Sequence, residues 1–132
     1  MAISIAALEL LCPVGVDRYV GLLAAAPDLF VGTYVELADS SYERQLVASW
    51  SKVDLGDGAG AYVNPNAVVF DALADDGATI ARWAVFDALT NGDLLYSGLV
   101  LNFEDIAEPV NVAIGESVRF NAGDLRLQTG AP

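Results

Sequence analysis

An all-β fold, built as a single β-sandwich or jelly-roll-like domain behind a short N-terminal α-helix, is what this sequence predicts. Three observations carry the expectation. From residue 14 onward, apolar residues alternate over short runs, the period-2 pattern of strands with an inner and an outer face. Clusters of Gly, Asn, Asp and Pro separate the runs, and these are the residues that tight turns require. The length of 132 residues, with 55% hydrophobic and 18% charged, excludes a disordered chain. A chain of this size buries roughly two-thirds of its unfolded surface as one domain. The expected division is a helix over residues 1–13 and a β-sandwich over 14–132, with no linker or repeat between them.

Each element has its own local reason. Residues 2–12 place Ile3, Ala6, Ala7, Leu10 and Leu11 at helical spacing, and Pro13 ends the run. So short a helix is unstable alone, and its apolar stripe must dock. Cys12, the single cysteine, reads as a small buried hydrophobe with no disulfide to make. Residues 18–23 form the first strand and stop at Ala26-Pro27-Asp28. Residues 43–53 read as one strand, with Leu46, Ala48 and Trp50 on one face and Val47, Ser49 and Val53 on the other. Residues 54–60 are Gly-rich and read as a loop. Asn64-Pro65-Asn66 turns into a strand at 67–70, and Asp75-Asp76-Gly77 breaks the chain again.

The sharpest local signal is a hairpin of residues 78–87 and 94–101 across Asn91-Gly92, a dipeptide with ready access to φ > 0. Ile80, Ala84 and Phe86 share one face of it with Arg82, and Ala81, Trp83 and Val85 share the other. Residues 94–101 are apolar on both faces, which places them mid-sheet or in a sheet covered on both sides. The last third alternates at Val110, Val112 and Ile114, at Val118 and Phe120, and at Leu125 and Leu127. Turns separate these runs at Gly115-Glu116 and at residues 121–124.

Composition excludes several chemistries. Six basic against eighteen acidic residues give a net charge of −12, so neither nucleic acid nor an anionic membrane is an expected partner. No stretch approaches the ~20 apolar residues that span a bilayer, and the apolar start lacks the basic residues of a signal peptide. The absence of His removes the usual general base and the commonest zinc or copper ligand. Asp54, Asp57 and Gly58, like Asp75, Asp76 and Gly77, have the composition of calcium loops. Neither has EF-hand spacing or its bidentate Glu, so the turn reading is preferred. Eighteen carboxylates single out no glycosidase pair, and no nucleophile elbow or phosphate loop is present. No catalytic residue, cofactor or metal is expected, and the chain does not read as an enzyme.

Two residue types remain. Tyr19, Tyr34, Tyr42, Tyr62, Tyr96, Trp50 and Trp83 offer a sugar-stacking platform as one reading, but their strand positions favour core or interface packing. Arg44, Arg82, Arg119 and Arg126 lie in or beside strands and are expected to pair with carboxylates within the fold or across an interface.

Four segments, in order, resemble a family of short bacteriophage structural proteins of the tail-fibre-like or virion type. They are Arg18-Tyr19-Val20-Gly21-Leu22-Leu23 with Ala26-Pro27, and Val35-Glu36 leading to Tyr42-Glu43-Arg44-Gln45. The third is Trp83-Ala84-Val85-Phe86-Asp87-Ala88 followed by Gly92-Asp93-Leu94-Leu95-Tyr96-Ser97-Gly98. The fourth runs from Val112 to Leu127. Ser40-Ser41 stand where the family pattern has a Gly before the Tyr. The resemblance spans residues 18–128, implies a β-sandwich that builds particles, and transfers no catalytic residue.

It implies a virion structural protein on the phage particle surface, assembled in the host cytoplasm. The leading expectation is a capsid decoration (cement) protein, a self-associating homotrimer bound to the phage major capsid protein. The alternatives are a tail or tail-fibre component contacting tail proteins, or a carbohydrate-binding module for host attachment. A mean hydropathy of +0.45 agrees with apolar surface shared between subunits. The expected contact residues are Ile3, Leu8, Leu10 and Leu11 in the helix, and Leu29, Phe30 and Tyr34 in the loop at 24–42.

Overall fold

The computed structural model describes residues 16–28, 30–56, 58–99 and 110–128, and the regular elements among them are all β-strands. The expected helix over 1–13, with Cys12, lies outside them. The strands are β1 (Arg18–Leu23), β2 (Gln45–Val47), β3 (Ser51–Gly56), β4 (Ala59–Val63), β5 (Val68–Val69) and β6 (Ala78–Ile80). They continue with β7 (Arg82–Phe86), β8 (Leu94–Leu99), β9 (Val110–Val112), β10 (Arg119–Phe120) and β11 (Arg126–Gln128). All pairings are antiparallel. They give a four-stranded sheet ordered β2-β1-β7-β8, a three-stranded sheet β11-β4-β3, and two ribbons, β10-β5 and β6-β9.

The central strands β1 and β7 of the four-stranded sheet are covered on both faces, and their sequence explains why. In β1 and β7 the inward positions are Val20, Leu22, Trp83 and Val85. They join Trp50, Tyr62, Leu125 and Leu127 in the main core. The outward positions are also apolar: Leu23, Ala84 and Phe86 form a second, smaller cluster with half-buried Tyr19, Tyr34 and Leu94. Full burial of a side chain such as Val20, Leu22 or Phe86 is worth about 1.5–3 kcal/mol. Register lines up Leu46, Tyr19, Phe86 and Leu94 as one row across the four strands. The chain leaving β1 folds back over this row: Ala24 N–H donates to Val35 O (2.9 Å) and Leu37 N–H to Leu22 O (3.2 Å).

Several elements differ from expectation. Residues 43–53 are not one strand but two, because the chain breaks at residues 48–50. The break resets the alternation, so Val47 and Trp50 both reach the main core while Leu46 stays exposed. Residues 78–87 likewise split at Ala81, whose N–H donates to Leu23 O (2.9 Å). Ile80 therefore enters the main core, while Ala84 and Phe86 face the second cluster. The expected loop at 54–60 is shorter than its Gly content suggested: residues 54–56 belong to β3 and 59–60 to β4, which pair with a register shift between Asp54 and Gly56 and leave a turn at Gly58. β8 stands at the end of its sheet's order, yet both faces find cover, Leu94 in the second cluster and Tyr96 against the main core. Ile114 leaves the alternation of β9 and is exposed in the following turn.

β3 is the outer strand of the three-stranded sheet and is largely exposed. It carries Lys52, the single lysine of the chain, and the register shift. Both features discourage edge-to-edge pairing with another sheet.

Candidate functional site

Three of the four segments singled out in the sequence meet on the outer face of the four-stranded sheet. Arg44, only 5% exposed, sits over the Phe86 ring, its Cζ 3.6 Å from the centroid. It meets Glu36 in bidentate fashion, Nη2 to Oε1 at 2.6 Å and Nε to Oε2 at 3.0 Å. Nη1 donates to Ala88 O (2.8 Å) and Asn91 O (2.7 Å), and Nη2 also to Tyr34 Oη (3.4 Å). All five guanidinium N–H groups thus have acceptors. Tyr42 completes the knot, its hydroxyl donating to Glu36 Oε2 (2.5 Å) and accepting from Leu22 N–H (3.0 Å).

Gly21 makes room for this knot. A Cβ there would meet Tyr42 Oη at 2.7 Å and Phe86 Cε2 at 2.8 Å. Asn91 (φ 56°) and Gly92 (φ 72°) are both in the left-handed region, which turns the β7–β8 connection so that Asn91 O faces Arg44. The Asn-Gly hairpin expectation holds here.

The electrostatics favour a closed joint rather than a reactive centre. Burial, reinforced by the hydrogen bond to Glu36, pushes the Tyr42 phenol above its ordinary range, so it keeps its proton. Burial lowers the Arg44 pKa, but the hydrogen bond and charge of Glu36 outweigh it and raise it. Burial also raises Tyr96.

Two further polar joints tie loops together. Asp39 accepts from Ser41 Oγ (2.6 Å), Ser41 N–H (2.9 Å), Ala74 N–H (3.1 Å) and Asp75 N–H (3.1 Å). These donors, led by the Ser41 hydroxyl, hold its carboxyl well below the usual carboxylate range. Asp75 reciprocates, accepting from Ser40 N–H and Oγ, each at 2.8 Å. Buried Asn64 donates to Asn66 O (2.8 Å) and Asn121 O (3.0 Å) and accepts from Leu125 N–H (3.0 Å).

The expected site residues divide. Ile3, Leu8, Leu10, Leu11 and Leu29 lie outside the described residues. Tyr34 is half-buried and packs edge-on against Phe86, at 5.1 Å between centroids. Phe30 is 99% exposed. It sits in a turn closed by Asp28 N–H to Thr33 O (3.0 Å) and Gly32 N–H to Asp28 O (2.7 Å). Asp28 Oδ1 accepts from Phe30 N–H (3.0 Å) and Val31 N–H (3.1 Å). The sugar-stacking reading loses its platform, because Trp50, Tyr62 and Trp83 are all buried in the core. Asp54 accepts from Gly56 N–H (2.9 Å) and, like Asp75, serves the backbone of a turn.

The arginine expectation holds for Arg44. Arg119 and Arg126 instead donate to Asn121 Oδ1 (2.9 Å) and Gly123 O (3.2 Å). Sequence reasoning expected Arg44 to find a carboxylate and Tyr42 to pack, but named Glu36 only as part of a resemblance and did not join the three. An acidic residue followed six and eight residues later by Tyr and Arg was the available signal for their union.

No curated protein matches the chain. The family model for the podophage GP4 fiber I protein gp80 matches residues 13–128. That span holds all four ordered segments and every residue of the three polar joints. The family is one of phage fibre structural proteins, which makes a virion component of its members. The chain therefore belongs to the podophage GP4 fiber I protein gp80 family.

Proposed function

We propose that this chain is a building block of a phage fibre, with a structural and not a catalytic role. The single observation that carries the reading is the match to a fibre-protein family over residues 13–128. The site geometry agrees with it, since the polar groups of the outer-face knot are spent on one another and on the backbone, as befits a rigid module. This fibre reading displaces the capsid-decoration role as the leading one. The chain works in several copies, with a homotrimer as the expected unit, joined to tail proteins and assembled in the host cytoplasm. A sandwich of the two larger sheets around the shared core is the architecture that goes with it.

Purified particles labelled with antibody against this chain test the proposal by electron microscopy. Label along a fibre is the expected result. Label spread over the shell at regular spacing would restore the decoration role, and absence from the particle would sink both.

A further inference from the structure

We propose that Asn91-Gly92 is a self-modification site: in the folded chain it closes to a succinimide and reopens with water to isoaspartate or aspartate, and the isoaspartate form sets a carboxylate against Arg44. The inference does not depend on the fibre reading. Of the chain's asparagines, only Asn91 precedes a glycine, which has no Cβ to shield its peptide nitrogen. Both residues are exposed in the β7–β8 turn. Neither the Asn91 carboxamide nor Gly92 N–H has a hydrogen-bond partner among the described residues. The other described asparagines are less ready. Asn64 is buried and precedes Pro65, whose nitrogen has no proton to lose. The Asn111 and Asn121 side chains are engaged by Thr79 Oγ1 (2.7 Å) and Arg119 Nε (2.9 Å). Asn66 is exposed but precedes Ala67.

The ring closes when Gly92 N gives its proton to hydroxide and attacks Asn91 Cγ. The new N–Cγ bond forms as the side-chain nitrogen takes up a proton and leaves as ammonia. Before the attack, the charge of the deprotonated peptide is shared with Asn91 O, and that oxygen accepts from Arg44 Nη1 at 2.7 Å. A buried guanidinium set on developing negative charge lowers the barrier. The Asp87 carboxylate beside Gly92 acts against this, but it is committed to Asp93 N–H (2.8 Å). Water then adds to one imide carbonyl. Breaking the bond to Cγ gives aspartate on an unchanged backbone. Breaking the bond to the main-chain carbonyl carbon gives isoaspartate, with the chain rerouted through Cβ and Cγ.

The isoaspartate form alters the outer-face knot. The oxygen that Arg44 holds becomes part of a free carboxylate, a second anion on the guanidinium in competition with Glu36. The lengthened backbone also displaces Gly92, and the turn has no slack, since even a Cβ there would meet Asp87 Oδ1 and Ala88 Cβ. The turn is thus an irreversible chemical switch: it is closed on Arg44 in a fresh chain and loosened in an aged one.

Incubation of the full chain in mildly alkaline buffer without denaturant, followed by peptide mapping in a mass spectrometer, tests this. Conversion at Asn91 is expected to run about tenfold or more faster than at Asn66. Anion exchange separates the two products, and the isoaspartate form is expected to unfold at lower urea than the aspartate form. Asn91→Gly, which keeps the left-handed turn, is expected to develop no early acidic form while its circular dichroism matches wild type. An Asn91 that keeps its amide as long as Asn66 does, or an isoaspartate form with the urea midpoint of the aspartate form, overturns the inference.

Discussion

Removing the Arg44 side chain strands the Glu36 carboxylate and the carbonyls of Ala88 and Asn91 together. Loss of one partner from a buried ion pair costs about 3–5 kcal/mol, and Arg44→Met is expected to lower unfolding free energy by that amount in urea titrations. Tyr42→Phe is gentler: Leu22 N–H and one Glu36 oxygen lose a partner, worth about 1–3 kcal/mol. Gly21→Ala inserts a methyl group against Tyr42 and Phe86, and overpacking of this kind costs about 1–3 kcal/mol. Asp39 sets a pH dependence whose sign follows from its lowered pKa. Its contribution is complete above the ordinary carboxylate range and disappears as pH falls through the lower folded-state value. Urea titrations should show wild type exceeding Asp39→Asn most at neutral pH, the gap closing in strong acid. A gap that widens on acidification would refute the assignment.

At the level of strands and turns, the Asn64 side chain joins the turn after β4 to the one before β11 through two hydrogen bonds, to Asn121 O and from Leu125 N–H, and braces its own turn through a third, to Asn66 O. Asn64→Leu leaves Leu125 N–H and two carbonyls unmatched, and a loss of at least about 1–3 kcal/mol is expected, read from the shift in denaturation midpoint. β3 makes the opposite kind of prediction. Lys52→Val removes a charge from an exposed edge, so folding stability should hold while light scattering reports faster aggregation. These strands also show what was readable beforehand. β1 and the β7–β8 hairpin follow from propensity and from Asn91-Gly92. The breaks at residues 48–50 and at Ala81 do not, because they are set by partners distant in sequence, such as Leu23 O for Ala81 N–H. β4 escaped notice because Ala59, Gly60 and Ala61 carry no strand propensity and are held by their neighbours' hydrogen bonds. The outer-face knot was visible only as a string of residue types, since its closure needs the chain after β1 to fold back across the sheet.

For the molecule as a whole, two buried clusters share the four-stranded sheet as a common wall, so damage to one is transmitted to the other. A net charge of −12 over 132 residues loads the compact state with self-repulsion. Added sodium chloride should raise the thermal midpoint by screening it, and a midpoint that falls with salt would show the carboxylates to be balanced locally. The lone lysine has a practical corollary. With its ε-amine on an open strand, Lys52 gives amine-reactive dyes or gold a single side-chain attachment point. Purified chains could therefore be tagged at one defined side chain, and the tag's bearing would report how each copy is turned in any assembly it joins.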